Sequence, residues 1–346
     1  MKQTLATKAW TDFAMRPNTT SPEGQVPTTG EIVGCPDIIP QTSPVNDPQA
    51  VFSTPDSWNT TYPGQVLEGR PNYLYVRAKN FYPGQEEGTV RLYAAGSSLI
   101  QWPSIWLQNP LTLDSGSAGL TLSAQNQNDI IVGQQPFYWE APPPPAGSDH
   151  YCLFSLVDTE NTPNPLLHSD VPSDFSTMAD LVTNSLNVGW KNVAEVADDI
   201  PAWTKRITLE VPAPVEQGSR LHIYCNGTRQ TVGGSVALSS GESQGFDPVI
   251  DMPKTEIKGQ YDTYGLLTTP SPGLARTTIN VSFWKGASNP TLQDRISVYA
   301  GWVPPDSDAI GHLIEAGVAQ RVPEEVAGDE IPWETPVGAM HYRFTG

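Results

Sequence analysis

Trp102 and Trp106 stand four residues apart around Pro103 and flank a loop. That spacing could set two indoles side by side, as a stacking platform for sugar rings or as the anchor of a protein interface. The alternative is that both rings cover the edge of a β-sandwich. Oxygen donors come next. Asp306 and Asp308 bracket Ser307, and Asp247 and Asp251 share a loop, which is the hard-ligand chemistry calcium accepts. No D-x-[DN]-x-[DN]-G loop holds them, so calcium is carried as an option and no metal site is assigned.

Residues suited to other chemistries are not spaced for it. His150, His168, His222, His312 and His341 lack the H-x-H or H-x-x-x-H spacing that puts two imidazoles on one zinc. Gly116-Ser117-Ala118-Gly119 misses the G-x-S-x-G elbow by one residue and reads as a turn before a strand. Cys35, Cys152 and Cys225 are odd in number and lack C-x-x-C spacing. They read as reduced thiols packed in strands, with a Cys152–Cys225 bridge as the alternative. Cys152 precedes an apolar stripe, with no basic cluster to generate a thiolate. The adjacent acids Glu86-Glu87, Asp198-Asp199 and Glu324-Glu325 would face opposite ways on a strand, as solvated surface rather than a glycosidase pair. No catalytic residue is assigned, and no enzymatic activity is expected.

The 346 residues include 37 acids against 19 lysines and arginines, a net charge of −18. Such a chain does not neutralise a run of phosphates, so nucleic-acid binding and anionic-membrane docking are not expected. No stretch of ~18 apolar residues is present to span a bilayer. The first residues have a basic start without the apolar core of a secretory signal. The expectation is synthesis in the cytoplasm, with export by a non-standard route or attachment at a surface.

Strands must position these residues. Alternating apolar and polar positions predict strands over 73–79, 88–94, 119–124, 129–132, 137–140, 150–158, 188–193, 206–211, 220–225, 278–284 and 295–302. Only 173–187 reads as helix, with Ser173 as its cap and Phe175, Met178, Ala179, Val182 and Leu186 as its apolar stripe over a sandwich core. Prolines, among them Pro36, Pro40 and Pro63, limit 34–72 to short edge segments. Residues 226–275 are rich in Gly and Ser and predict long loops plus an edge hairpin. Beyond Asp306 come a short helix over 309–316, the acids Glu324, Glu325, Asp329, Glu330 and Glu334, and a last edge strand over 338–344.

Three segments carry a family likeness: Cys35-Pro36-Asp37-Ile38-Ile39, Asn72-Tyr73-Leu74-Tyr75-Val76-Arg77-Ala78-Lys79-Asn80 and Gly88-Thr89-Val90-Arg91-Leu92-Tyr93. They resemble the immunoglobulin-like module of bacterial extracellular proteins of the cell-adhesion-related (CARDB-like) type. Ala146-Gly147-Ser148-Asp149-His150-Tyr151-Cys152-Leu153 and Val188-Gly189-Trp190-Lys191-Asn192-Val193 look like its later strands. The resemblance covers 35–195, implies a β-sandwich serving as spacer or binding module, and brings no catalytic residues. Phe81-Tyr82-Pro83-Gly84 departs from it by lengthening the turn after Asn80.

The sequence therefore reads as an all-β protein of two immunoglobulin-like β-sandwich domains with one short helix and extended termini. An extended polar arm covers 1–33, and the first sandwich covers 34–203 with its helix near 174–187. A second sandwich covers 204–305, and an acidic extension covers 306–346. The expected function is a non-enzymatic bacterial interaction, adhesion or accessory module that recognises another protein or builds a surface or secretion assembly. Three rivals stand beside it: a lectin-like carbohydrate-binding sandwich, a secreted effector or toxin component, and a phage-like capsid or tail protein that forms oligomers through its edge strands and arm.

Overall fold

Residues 7–62, 66–168, 171–197, 199–212, 214–273, 275–328 and 332–345 are described by a computed structural model. The first six residues of the arm, Pro63, Asp198, Asp329 and Glu330 lie outside them.

In the N-terminal half the Pro71–Asn80 strand pairs antiparallel with Phe13–Ala14, Ile38–Gln41, Ile130–Val132 and Phe137–Glu140. A second sheet runs in the order Val188–Asn192, Tyr151–Thr159, Glu86–Gly96, Leu120–Ala124. Leu74, Val76 and Ala78 of the first sheet share one core with Val90, Leu92, Leu153 and Val157 of the second. The arm belongs to this core, because Phe13 and Met15 are fully buried in it and Phe13 pairs with Asn80 at the sheet edge.

The other face of the Pro71–Asn80 strand is covered as well, since Tyr75 and Arg77 are buried. The proline-rich segment covers them. Phe52 packs on Tyr75, and Arg77 donates to the carbonyls of Pro36, Phe52, Ser57, Trp58 and Thr60 while pairing with Asp37 at 2.8 Å. A chain without regular strands leaves its carbonyls unpaired, and one guanidinium satisfies five of them.

The C-terminal half pairs a four-stranded sheet, in the order Ala202–Val211, Ala275–Trp284, Ser235–Gln244, Asp251–Glu256, with a larger one. The larger runs Glu195–Ala197, Trp333–Thr345, Arg295–Val303, Arg220–Gly227, Tyr264–Pro270, Phe246–Asp247. Ile207, Leu209, Val236, Ile279, Val281 and Phe283 meet Ile223, Cys225, Val298, Tyr342 and Phe344 in the shared core.

Two expectations are corrected here. Residues 226–275 form three strands of six or more residues rather than mainly loops. Their apolar positions are sparse, Val236 and Leu238 among serines, because one face of that sheet looks to solvent. The last strand is interior rather than an edge: Trp333–Thr345 lies between Arg295–Val303 and Glu195–Ala197. Its Pro336 is tolerated where the register shifts between Ala300 and Gly301.

The longest helix among the described residues is Phe175–Asn184, capped by Asp174 and not by Ser173. Phe175, Met178 and Ala179 join a cluster that also holds Phe154 and Trp190 of the second N-terminal sheet and Trp302 of the C-terminal half. That sheet is therefore covered on both faces. The Ala309–Ala316 expectation resolves into a 3-10 turn, Ser307–Ile310, and a short helix, Gly311–Glu315.

Candidate functional site

The sequence candidates do not form the site. Trp102 and Trp106 are 0% and 1% exposed, which removes the stacking platform. Trp102 Nε1 donates to Glu210 O at 2.6 Å, Trp106 Nε1 donates to Gln101 O at 3.1 Å, and Trp106 stacks on Phe154 at 4.6 Å. An indole whose N–H finds a carbonyl is content in a core, and these two fill the space over the second face of the N-terminal sheet. Asp306 accepts from the backbone N–H of Asp308 and caps the 3-10 turn, so this acid pair is a cap rather than a cage. Among the described residues no group of three or more His, Cys, Asp or Glu is placed to hold a metal. The three cysteines are buried thiols, and burial pushes Cys35 and Cys152 up to about 12 and Cys225 further.

A groove of about 1060 Å³ lies between the arm and the outer face of the larger C-terminal sheet. Strand alternation builds its floor. Leu221, Ile223 and Cys225 point to the core, so His222, Tyr224 and Asn226 point outward. Ser297 and Tyr299 on the next strand, and His341 and Arg343 on the third, continue that face. Tyr224 stacks on Tyr299 at 5.0 Å and on His222 at 4.4 Å, and His341 meets Tyr299 edge-on at 5.7 Å.

The arm makes the wall. Asn18 Nδ2 donates to Thr29 O and Glu31 O, both at 2.8 Å, while its Oδ1 accepts from the N–H groups of Thr20 and Ser21. Thr28 N–H donates to Thr183 O at the end of the helix. Glu31 then reaches the floor, meeting His341 Nε2 at 3.1 Å, Arg295 at 3.2 Å and Arg343 at 3.8 Å. Gly34 leaves room for this, since a Cβ there would stand 2.5 Å from Glu31 Oε1. Two apolar side chains stand out on the rim, Tyr261 at 53% and Leu292 at 64% exposure. Tyr261 holds φ at +62°, a left-handed conformation costly for a tyrosine, with its N–H bonded to Gly227 O.

Burial alone would raise the Glu31 pKa, but the positive charges of His341, Arg295, Arg343 and Lys191 overcome it and hold the carboxyl below its usual range. His341 moves the other way for a histidine. Burial, reinforced by the arginines and opposed by Glu31, lowers it to about 4. At neutral pH the groove is therefore lined by one carboxylate and two guanidiniums, with a neutral imidazole buried beneath them. Ser297 Oγ bonds His341 Nδ1 at 2.8 Å and accepts from Arg295 Nε at 3.3 Å, and His341 Nε2 faces Glu31, but Ser297 and His341 are 1% and 2% exposed and neither lines the groove, so this hydroxyl is sealed beneath it.

No family model and no curated protein matches the chain. Solved structures that align with it include the CupB6 tip adhesin from Pseudomonas aeruginosa, at 8% identity over 81% of this chain and 91% of that one. The collagen adhesin CNA from S. aureus aligns at 10% identity over 82% and 90%. Red sea bream transglutaminase aligns at 11% over 71% of this chain and 30% of the enzyme. All three have a TM-score of 0.20, a level at which the likeness carries no argument, so the all-β fold rests on the strands described above.

Neither the sequence motifs nor the aromatic count pointed to Glu31, Arg295 or Arg343. The usable signal was the alternation in 222–226 and 295–299, which marks a polar, aromatic sheet face where a buried sheet would be apolar.

Proposed function

We propose that this chain is a non-enzymatic recognition module of adhesion type that binds another protein through the groove beside Glu31, Arg295 and Arg343. The observation that carries the reading is the groove itself, whose polar, hydrogen-bonding floor is bordered by exposed apolar side chains. Polar groups that fix orientation and a few apolar anchors are what protein recognition uses. The left-handed Tyr261 supports it, because strain kept at an exposed aromatic is characteristic of ligand contacts. The resemblance of 35–195 to bacterial immunoglobulin-like modules agrees with this class, and so does placement at a surface or in an exported assembly. The glycan reading loses the Trp102–Trp106 platform on which it stood.

The test is partner capture from the native cell extract and medium with immobilised wild type and with the rim variants Tyr261→Ala and Leu292→Ser. A partner retained by wild type and lost by both variants is expected. A partner retained equally by all three places recognition elsewhere and overturns the groove as the site.

A further inference from the structure

Arg295 and Arg343 are direct partners across two antiparallel strands. Like charges so placed destabilise a sheet, their Cβ atoms being about 4.5–5.5 Å apart. Both side chains line the groove. Glu31 is the carboxylate that answers them, and it is shared with His341. Arg295 has one further bond, from Nε to Ser297 Oγ. The Arg343 side chain makes no hydrogen bond among the described residues, lies 3.8 Å from Glu31, and is 38% exposed. Arginine does not deprotonate in proteins, so one negative charge faces two permanent positive ones. A guanidinium fork is left open toward the cavity, and its geometry matches a carboxylate in two parallel N–H···O bonds.

We propose that the groove holds a peptide segment bearing a single carboxylate, gripped by Arg343 with Arg295 beside it, a step that rests on the groove being a recognition site. A peptide suits the rim better than an acidic sugar does. Leu292 and Tyr261 offer apolar surface to a side chain next to the acid, whereas the floor tyrosines stack on each other. The net charge of −18 repels a polyanion, so a lone carboxylate among apolar neighbours is the form the protein's field admits.

An array of short peptides with a central glutamate flanked by leucines, the same peptides with glutamine, and a set of uronate-bearing oligosaccharides tests this with the full chain. Wild type is expected to retain the glutamate peptides about tenfold more strongly than the glutamine ones. Arg343→Gln is expected to remove that preference, and Arg343→Lys, which keeps the charge without the fork, to weaken it. Retention of both peptide sets without a glutamate preference overturns the carboxylate site and leaves the groove standing as a recognition site. Binding of uronates alone overturns a peptide as the ligand, and retention of nothing overturns both readings.

Discussion

Two places in this molecule set one carboxylate before two arginines, and burial separates them. Around Asp37 the contacts are short, 2.6 Å to Arg16 and 2.8 Å to Arg77. Arg77 spends its other donors on five carbonyls, and Arg16 lies 3.5 Å over the Trp58 ring. Around Glu31 the arginine contacts are 3.2 and 3.8 Å, beside an open groove. A charge survives in a core only when its donors and acceptors are met, so the first cluster is complete in itself and fastens the proline-rich segment to the sheet. The second keeps donors in reserve. A carboxylate between two arginines is thus a structural fastening at Asp37 and, in the proposed reading, a ligand site at Glu31.

The contrast breaks most visibly at Asp37. Asp37→Asn leaves Arg16 and Arg77 buried without their counter-charge and is expected to cost about 3–5 kcal/mol, measured as a lowered urea midpoint. Trp106→Ala, which empties a core position that does not line the groove, should lose a comparable ~3–5 kcal/mol while sparing partner capture. Should that variant lose binding without losing stability, the stacking-platform reading would return.

Acid sharpens the comparison by titrating the groove first. Unfolded His341 takes up a proton near pH ~6.5, whereas the native residue does so at about 4. Between those values unfolding binds a proton, so stability falls as the pH is lowered through this window. Asp37 and Glu31 are held below their ordinary values, so their contributions are whole above those ordinary carboxylate values and are lost as the pH falls from there through the lower folded-state ones. Unfolding followed at several pH values should show a slope between 6.5 and 4 that His341→Asn flattens; an unchanged slope in that variant would remove His341 as its source.

The legible and illegible parts of the sequence divide along the same line. Strands such as Tyr151–Thr159 and Ala275–Trp284 announce themselves because a sheet must bury one apolar face. Ser235–Gln244 does not, since serines and a glycine occupy half of its positions. Trp333–Thr345 is disguised by a neighbouring acid run and by Pro336 at a bulge. The burial of Trp102 and Trp106 depends on the helix and the C-terminal half closing over a sheet already covered on its other side, which local spacing cannot register. Glu31 meets Arg295 and Arg343 from opposite ends of the chain, so the groove exists only in the folded protein.

The most direct measurement is the unfolding free energy of Arg343→Gln set against that of Arg77→Gln under the same conditions. If Arg343 is held in reserve for a ligand, removing its repulsion with Arg295 leaves stability within about 0.5 kcal/mol of wild type or raises it, while Arg77→Gln loses about 3–5 kcal/mol. Equal large losses in both variants would make the Glu31 cluster a second structural staple and contradict the account.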